Sequence, residues 1–253
     1  MKVTPTAFSL LGSAFLACCA TDLSLGADQQ AVLGGRPAGA GEFSTVVGIG
    51  VAGGLCSGTL IAPSIVLTAA HCVDPGFLQL PNQAAVTQSV TVYFDSLDLT
   101  APTGFTVSAV DTLPHSGWNS NGWSYDIGII TLSRPISEHE PSPILRDASQ
   151  DQVGTHLVMA GYGEYDLQHN VAVKYVLDDK VTISCQDPQL SSWQIPGDDL
   201  LCYSQTDGSG VCRGDSGGPA FVHVDNDLAV AGITSVGDLN CSEWGASTRV
   251  APL

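Results

Sequence analysis

Short apolar runs that alternate with clusters of turn-forming residues dominate the chain from residue 43 onward. The runs combine β-branched and aromatic residues with small polar ones, a composition typical of strands. We predict strands at 44–53, 57–63, 64–72, 89–95, 126–132, 156–163, 171–184 and 228–237. No long segment keeps a helical period. Regularly spaced short strands favour an all-β fold, either a sandwich or closed barrels.

The segments between several of these runs are rich in Gly, Pro, Ser and Asn, which is typical of loops. We predict loops at 101–104, 115–124, 133–143 and 191–199. The polar, proline-rich stretch 133–147 is the best candidate for a joint between two halves of the chain. A chain of 253 residues, 44% of them hydrophobic, is long and apolar enough for one domain with a substantial core.

The composition is strongly acidic, with 25 Asp and Glu against 8 Lys and Arg and a formal net charge of −17. Such a surface repels phosphate backbones, so we do not expect a nucleic acid partner. The charge is sufficient to keep the protein soluble, and we expect a monomer. The sequence has no CxxC pair and no HExxH motif. We therefore expect neither a metal site nor a cofactor.

The N-terminus has the features of a secretion signal. Lys2 precedes a short apolar segment, residues 7–17, and small residues follow it. We predict a signal peptide at 1–20 and a short propeptide or linker at 21–31, which implies a secreted protein. In an alternative interpretation, Cys18 or Cys19 is acylated and the protein is lipid-anchored at the cell surface. No other segment is suited to span a membrane.

Ser216 lies in the stretch CRGDSGGPA, between an aspartate and a pair of glycines. A serine hydroxyl becomes a good nucleophile only when a base removes its proton and N–H donors bind the oxyanion that forms. Gly214 allows a turn in which its own N–H and that of Ser216 point at one spot. Because a glycine-rich turn holding a serine is common, the interpretation depends on finding a base and an acid that orients it.

His71 is the one histidine of six whose sequence context fixes its position. It ends the apolar run VLTAAHC, where the adjacent Cys72 can be tethered by a disulfide. We interpret the other five histidines as ordinary surface residues. Asp126 begins the apolar run DIGIITL, where a charge is unfavourable unless it is paired. Taken alone, Asp126 is better explained as a turn aspartate at the start of a strand.

The motifs LTAAHC, DIGIITL and GDSGGP, in that order, resemble the chymotrypsin/trypsin family of serine proteases. The resemblance runs from about Val32 to the end of the chain and includes GEFSTVVGI, CSGTLIAPSIVLTAAHC, AGYGE and TSVG. It implies a protease domain at 32–253 built from two packed antiparallel six-stranded β-barrels. The first barrel would span about 32–140 and the second about 141–253, with the catalytic site in the cleft between them.

The resemblance also implies the chemistry. His71 would be the general base, Asp126 would orient it, and Ser216 would attack the scissile carbonyl to form an acyl-enzyme. The N–H groups of Gly214 and Ser216 would form the oxyanion hole. The substrates would be proteins or peptides. The alternative is a catalytically silent homologue that binds or inhibits a partner.

Six cysteines lie beyond the signal segment, and an even number in an exported chain indicates disulfides. The residues alone leave the pairing open. The family resemblance implies the bonds Cys56–Cys72, Cys185–Cys202 and Cys212–Cys241.

An activation step is a further implication of the resemblance. In the family, an aspartate at the position of Asp215 pairs with a new N-terminal ammonium that cleavage of a propeptide releases. The matching segment here is VLGG, so cleavage after Ala31 would make Val32 the new terminus. Because no Lys or Arg lies between residues 3 and 35, activation would need a protease that cuts after a small residue, or trimming after export.

The substrate pocket is predicted from the same resemblance. Gly210 would form its floor beside Val211, while Ser235, Gly237 and Gly245 would line its walls. Without a charge at its floor, an open apolar slot would favour large apolar side chains such as Phe, Tyr, Leu or Met at the residue before the cleaved bond, the P1 residue.

Two further expectations concern Trp123 and the C-terminus. Trp123, three residues before Asp126, is expected to narrow the neighbouring subsite. Family members normally continue into a C-terminal helix that packs on the second barrel, whereas this chain stops at Leu253. Either the chain is a fragment, or it lacks this helix and the second barrel exposes apolar surface in its place.

Overall fold

Two β-sheets form the framework of the protein in a computed structural model, which describes residues 32–164, 172–188, 190 and 199–251. The strands are β1 (Arg36–Pro37), β2 (Val46–Val51), β3 (Gly54–Ala62), β4 (Ile65–Thr68), β5 (Thr91–Phe94), β6 (Phe105–Pro114), β7 (Gly128–Leu132), β8 (His156–Gly161), β9 (Tyr175–Val181), β10 (Leu200–Ser204), β11 (Pro219–Val224), β12 (Asp227–Gly237) and β13 (Trp244–Arg249). The helical segments are α1 (Gln83–Ser89) and the 3₁₀ turns Ala70–Cys72 and Ala148–Gln150. The predicted signal and propeptide, residues 1–31, lie outside the described residues.

The first sheet is a closed six-stranded barrel in the order β2-β3-β4-β7-β6-β5. Along β7, Gly128, Ile130 and Leu132 are buried, while the residues between them are half-buried. This alternation arises because successive side chains of a strand point to opposite faces. Val46, Val47, Ile49 and Val51 extend the barrel core from β2.

The second sheet has seven strands in the order β1-β9-β8-β11-β12-β13-β10, and every neighbouring pair is antiparallel. The predicted all-β fold class is confirmed. Each of the eight predicted runs contains a strand. The pattern did not predict β1, β6, β10, β11 and β13. In β6 most side chains face outward, and in β13 small and polar residues are buried between neighbouring strands, so neither shows a regular alternation.

The two sheets are in direct contact. Phe43, before the first barrel strand, stacks on Phe221 of β11 with 5.9 Å between the ring centroids. The Ser57 N–H of β3 donates to the Ser216 carbonyl oxygen across the same interface, at 2.8 Å. One continuous core cluster includes Val46 and Val47 of the barrel together with Phe221 of the second sheet. The cleft therefore lies between two parts that share one core.

The described part of the chain contains no helix long and apolar enough to cross a bilayer. After β13 the described residues are Val250 and Ala251. The expectation about a C-terminal helix stays a prediction.

Candidate active site

The register of two barrel strands brings His71 and Asp126 together. In the antiparallel pair β4 and β7, Thr68 lies opposite Gly128. His71 follows Thr68 by one short turn, and Asp126 lies just before Gly128. The pairing of β4 with β7 therefore places the imidazole and the carboxylate at the same end of the barrel, although they are 55 residues apart in sequence.

Asp126 holds the imidazole with short hydrogen bonds in a buried site. Its Oδ2 lies 2.7 Å from His71 Nδ1, and its Oδ1 accepts the backbone N–H of His71 at 2.9 Å. Ser235 of β12 donates its hydroxyl to Oδ2 at 2.7 Å. Asp126 is fully buried and His71 is 7% exposed. A carboxylate bound to Nδ1 leaves Nε2 as the nitrogen that can accept a proton.

Aromatic side chains surround the imidazole on the barrel side. Phe77 and Trp123 lie 5.2 and 5.6 Å from the His71 ring, centroid to centroid. Trp118 packs edge-on against Trp123 at 5.9 Å. The sequence analysis identified Trp123 but not Phe77 or Trp118, because the loops that carry them show no pattern linking them to His71.

Ser216 lies in a turn between the two sheets, directly before β11. Its carbonyl oxygen accepts the Ser57 N–H at 2.8 Å and lies 3.7 Å from the Cys72 sulfur, next to His71. Among the described residues no hydrogen bond joins the Ser216 hydroxyl to the imidazole. In enzymes without bound substrate such contacts are often long and tighten only when substrate binds.

Gly214 adopts a backbone conformation that suits the turn around the nucleophile. Its φ is 96°, in the region that glycine occupies without steric strain. Its carbonyl oxygen accepts the Ser57 hydroxyl at 2.9 Å, which holds the turn against the barrel. Within the described ranges, neither the Gly214 N–H nor the Ser216 N–H donates a hydrogen bond to the protein. Both groups are therefore available to an oxyanion.

Asp215 is buried behind this turn. Its carboxylate accepts the N–H of Gly163 at 2.8 Å and the N–H of Cys212 at 2.9 Å. Burial raises the pKa of Asp215 to about 7, and the charge of Glu164 acts in the same direction. The two N–H donors oppose this shift without cancelling it. Among the described residues, no salt bridge joins the Asp215 carboxylate to a cationic side chain.

Val32 is 1% exposed and belongs to the same hydrophobic cluster as Leu157 and Val211 of the second sheet. The following residue, Leu33, accepts the Gly210 N–H at 2.7 Å. The structure thus anchors this segment beside the predicted pocket. In the part of the chain that is described, no hydrogen bond joins Val32 to Asp215.

A cavity of about 140 Å³ opens beside Ser216. Val211, Ser235 and Gly237, three of the predicted pocket residues, line it together with Thr234 and Val236. Gly210 and Gly245 do not line it. Gly210 packs instead against the side chain of Gln205, and Gly245 packs against those of Tyr203 and Gln205, two residues that the sequence analysis did not identify.

Arg213 lies at the mouth of the cavity. Its guanidinium donates to the Leu239 carbonyl oxygen at 2.8 Å and lies 3.4 Å from the Glu164 carboxylate. Asp238, behind Leu239, accepts backbone N–H groups from Asn240, Ser242, Glu243 and Trp244. Burial acts to raise the pKa of Asp238, but these donors outweigh it and hold the pKa below its ordinary value. The carboxylate therefore fixes the loop on this side of the cavity.

All three disulfides implied by the family resemblance are formed, Cys56–Cys72, Cys185–Cys202 and Cys212–Cys241. The first lies next to His71, and the third joins the segment before Ser216 to the loop of Asp238. The sulfurs of Cys56 and Cys72 lie within ligand distance of His71. Because these sulfurs are bonded to each other, they supply no thiolate to a metal.

Comparison with known proteins agrees with this geometry. The Trypsin family model matches residues 32–253. The chain is 32% identical over 201 residues to brachyurin of Leptuca pugilator, a match that covers 77% of the chain and 82% of the relative. It is 30% identical over 215 residues to tryptase of Mus musculus, covering 77% and 74%. It is 28% identical over 228 residues to serine protease 1 of Drosophila melanogaster, covering 86% and 80%.

Proposed function

Since the chain belongs to the trypsin family of serine proteases, we propose that it is a secreted endopeptidase that uses His71, Asp126 and Ser216 as its catalytic residues. The observation that carries this proposal is the buried His71–Asp126 pair beside the Ser216 turn. The predicted signal peptide and the three disulfides support an oxidising, extracellular location. The mature domain would span residues 32–253, with the first half at about 32–140 and the second at about 141–253.

The mechanism follows from the positions of these groups. His71 Nε2 takes the proton of the Ser216 hydroxyl as the oxygen attacks the carbonyl carbon of the substrate. The N–H groups of Gly214 and Ser216 bind the resulting oxyanion. Protonated His71, stabilised by Asp126, then gives its proton to the leaving amine. Water enters, loses a proton to His71 and hydrolyses the acyl-enzyme.

A serine-directed fluorophosphonate tests this function directly. We expect the active protein to be labelled at Ser216 and the Ser216→Ala variant to remain unlabelled, because the reagent bonds only to an activated hydroxyl. Ser57→Ala is unsuitable as a control since Ser57 supports the turn, so Ser149→Ala, on the surface of the second half, serves instead and should label normally. A folded wild-type protein that begins at Val32 and does not label would favour the silent binding homologue.

Activation by cleavage after Ala31 is part of the proposal. The burial of Val32 and the buried carboxyl of Asp215, which forms no salt bridge within the described residues, support it, because a new ammonium at Val32 would supply a cationic partner. N-terminal sequencing of the fluorophosphonate-labelled protein should therefore begin at Val32. A labelled protein that begins well before residue 31 would contradict this step.

Trp123 is proposed to restrict the P2 residue, which precedes P1 in the substrate. Its indole packs edge-on to His71 and so occupies space beside the imidazole. In the Trp123→Ala variant we expect kcat/KM for substrates with a bulky P2 residue to rise about tenfold relative to substrates with a small one. Trp118→Ala is the control, since Trp118 contacts Trp123 but not the His71 ring. Equal changes for both P2 classes would refute a role in selection.

A further inference from the structure

Gln205 is hydrogen-bonded to Val211, one of the residues that line the cavity next to Ser216. It follows β10 and is 1% exposed. A Cβ atom placed on Gly210 would overlap Cδ and Oε1 of Gln205, and one placed on Gly245 would lie 2.6 Å from Oε1. The carboxamide of Gln205 therefore lies between these two glycines, in the volume that the sequence analysis assigned to an open slot.

The backbone of Val211 holds this carboxamide in one orientation. Gln205 Oε1 accepts the Val211 N–H at 2.8 Å, and Gln205 Nε2 donates to the Val211 carbonyl oxygen at 3.2 Å. The Gln205 N–H donates to the Glu243 carbonyl oxygen at 2.9 Å. Displacing this buried carboxamide is energetically unfavourable, because its oxygen and its NH₂ group would both lose their hydrogen bonds.

The turn after Gln205 is also anchored. The ammonium of Lys180, a 4% exposed residue of β9, lies 2.9 and 3.0 Å from the two carboxylate oxygens of Asp207. It also donates to the carbonyl oxygen and the hydroxyl of Ser209, each at 2.8 Å. Residues 205–210 are therefore held in place next to Val211, which lines the cavity.

We propose that Gln205 determines P1 specificity by closing the bottom of the substrate pocket. Gly210 is then required because it leaves room for the Gln205 carboxamide, whereas Gly245 leaves room for both this carboxamide and the Tyr203 ring. The pocket ends at the carboxamide. A dry cavity of about 150 Å³ is known to hold a benzene-sized ligand. The 140 Å³ cavity therefore accepts P1 residues of the size of Leu, Met or Phe and excludes the longer Trp, Lys and Arg. This inference rests on the proposed protease function.

The test compares peptide substrates that differ only at P1, with Leu, Phe, Trp and Arg. For the wild type, kcat/KM with Leu or Phe at P1 should exceed kcat/KM with Trp at P1 about tenfold, since a single methylene can change kcat/KM by that factor. In Gln205→Ala, the ratio of kcat/KM for the Trp substrate to kcat/KM for the Leu substrate should rise about tenfold, because the deeper pocket then holds the indole. Gln205→Met removes both hydrogen bonds but fills the same space, so its ratio should stay near the wild-type value.

Gln83→Ala is the matched control. The Gln83 side chain also bonds to backbone, donating to the Val73 carbonyl oxygen at 2.8 Å, but it lies on α1 in the first half. Its loss should leave the P1 ratios unchanged. The inference is overturned if Gln205→Ala and the wild type share one P1 profile, or if Gln205→Met shifts the ratio as much as Gln205→Ala does.

A binding measurement separates this inference from the protease function. In the Ser216→Ala background, titration with free indole followed by NMR should show about tenfold tighter binding to Gln205→Ala than to the Gln205 protein. Equal indole affinity would overturn the inference even in a fully active protease. If the wild type is inactive and unlabelled but the two proteins still differ in indole affinity, the proposed function is refuted, whereas the effect of Gln205 on pocket depth is supported.

Discussion

Asp126→Asn is expected to lower kcat for peptide hydrolysis by about 10⁴-fold while leaving the protein folded. Asp126 Oδ2 accepts from His71 Nδ1 and from the Ser235 hydroxyl, so the carboxylate sets both the orientation and the protonation of the ring. An asparagine can turn its NH₂ group toward Nδ1. The imidazole then carries its proton on Nε2 and cannot accept the proton of Ser216.

The control for Asp126→Asn is a second fully buried carboxylate far from the site. Asp151 is fully buried and pairs with Arg249 in the second half at 2.5 Å. Asp151→Asn should reduce the melting temperature without changing kcat of the folded enzyme. Steady-state kinetics and calorimetry on both variants provide the comparison. An Asp126→Asn enzyme within tenfold of the wild-type kcat would refute the assigned role of Asp126.

Asp215 is expected to make the uncleaved chain less stable as the pH rises from 4 to 7. Its carboxyl has a native pKa of about 7, raised mainly by burial, against an ordinary value of 3.8. Between these values the native state holds a proton that the unfolded state has lost, so the free energy of unfolding falls with pH. A shift of about three pKa units corresponds to about 4 kcal/mol, fully present below pH 4 and lost above pH 7.

The measurement is the difference in unfolding free energy between the wild type and Asp215→Asn, from urea titrations of the uncleaved chain at several pH values. Because other carboxyls titrate in both proteins, the difference isolates Asp215. Asp227→Asn, at an exposed position of β12, is the surface control for an Asp-to-Asn substitution. In protein cleaved before Val32, an ammonium partner would lower the pKa of Asp215, and the loss of stability near neutral pH should disappear. A flat difference for Asp215→Asn in the uncleaved chain would contradict the raised pKa.

Local patterns in the chain were sufficient to predict much of the fold. Eight strands were predicted from short apolar runs, because side chains that alternate between core and solvent leave a visible period. Five strands were missed: β1, β6, β10, β11 and β13. In β13 the buried positions include Ser, Thr and small residues, which a search for apolar runs does not detect.

The candidate catalytic residues were also predicted from the sequence. Each of the three candidate catalytic residues, His71, Asp126 and Ser216, lies in a short motif. The reason is that the backbone conformation of a reactive residue depends on specific neighbours in sequence. The structure brings His71 and Asp126 together through the pairing of β4 and β7. It places the Ser216 backbone beside them through Ser57, whose support of the turn no local pattern indicated.

The depth of the pocket was not predictable in the same way. Gly210 and Gly245 suggested an open slot when taken as isolated positions, whereas the folded chain places Gln205 between them. The proximity of Phe77 to His71 was likewise invisible along the chain. Motifs identify groups whose chemistry depends on adjacent residues. The volume left for a substrate depends on side chains from distant segments, and these meet only when the strands that carry them pack together.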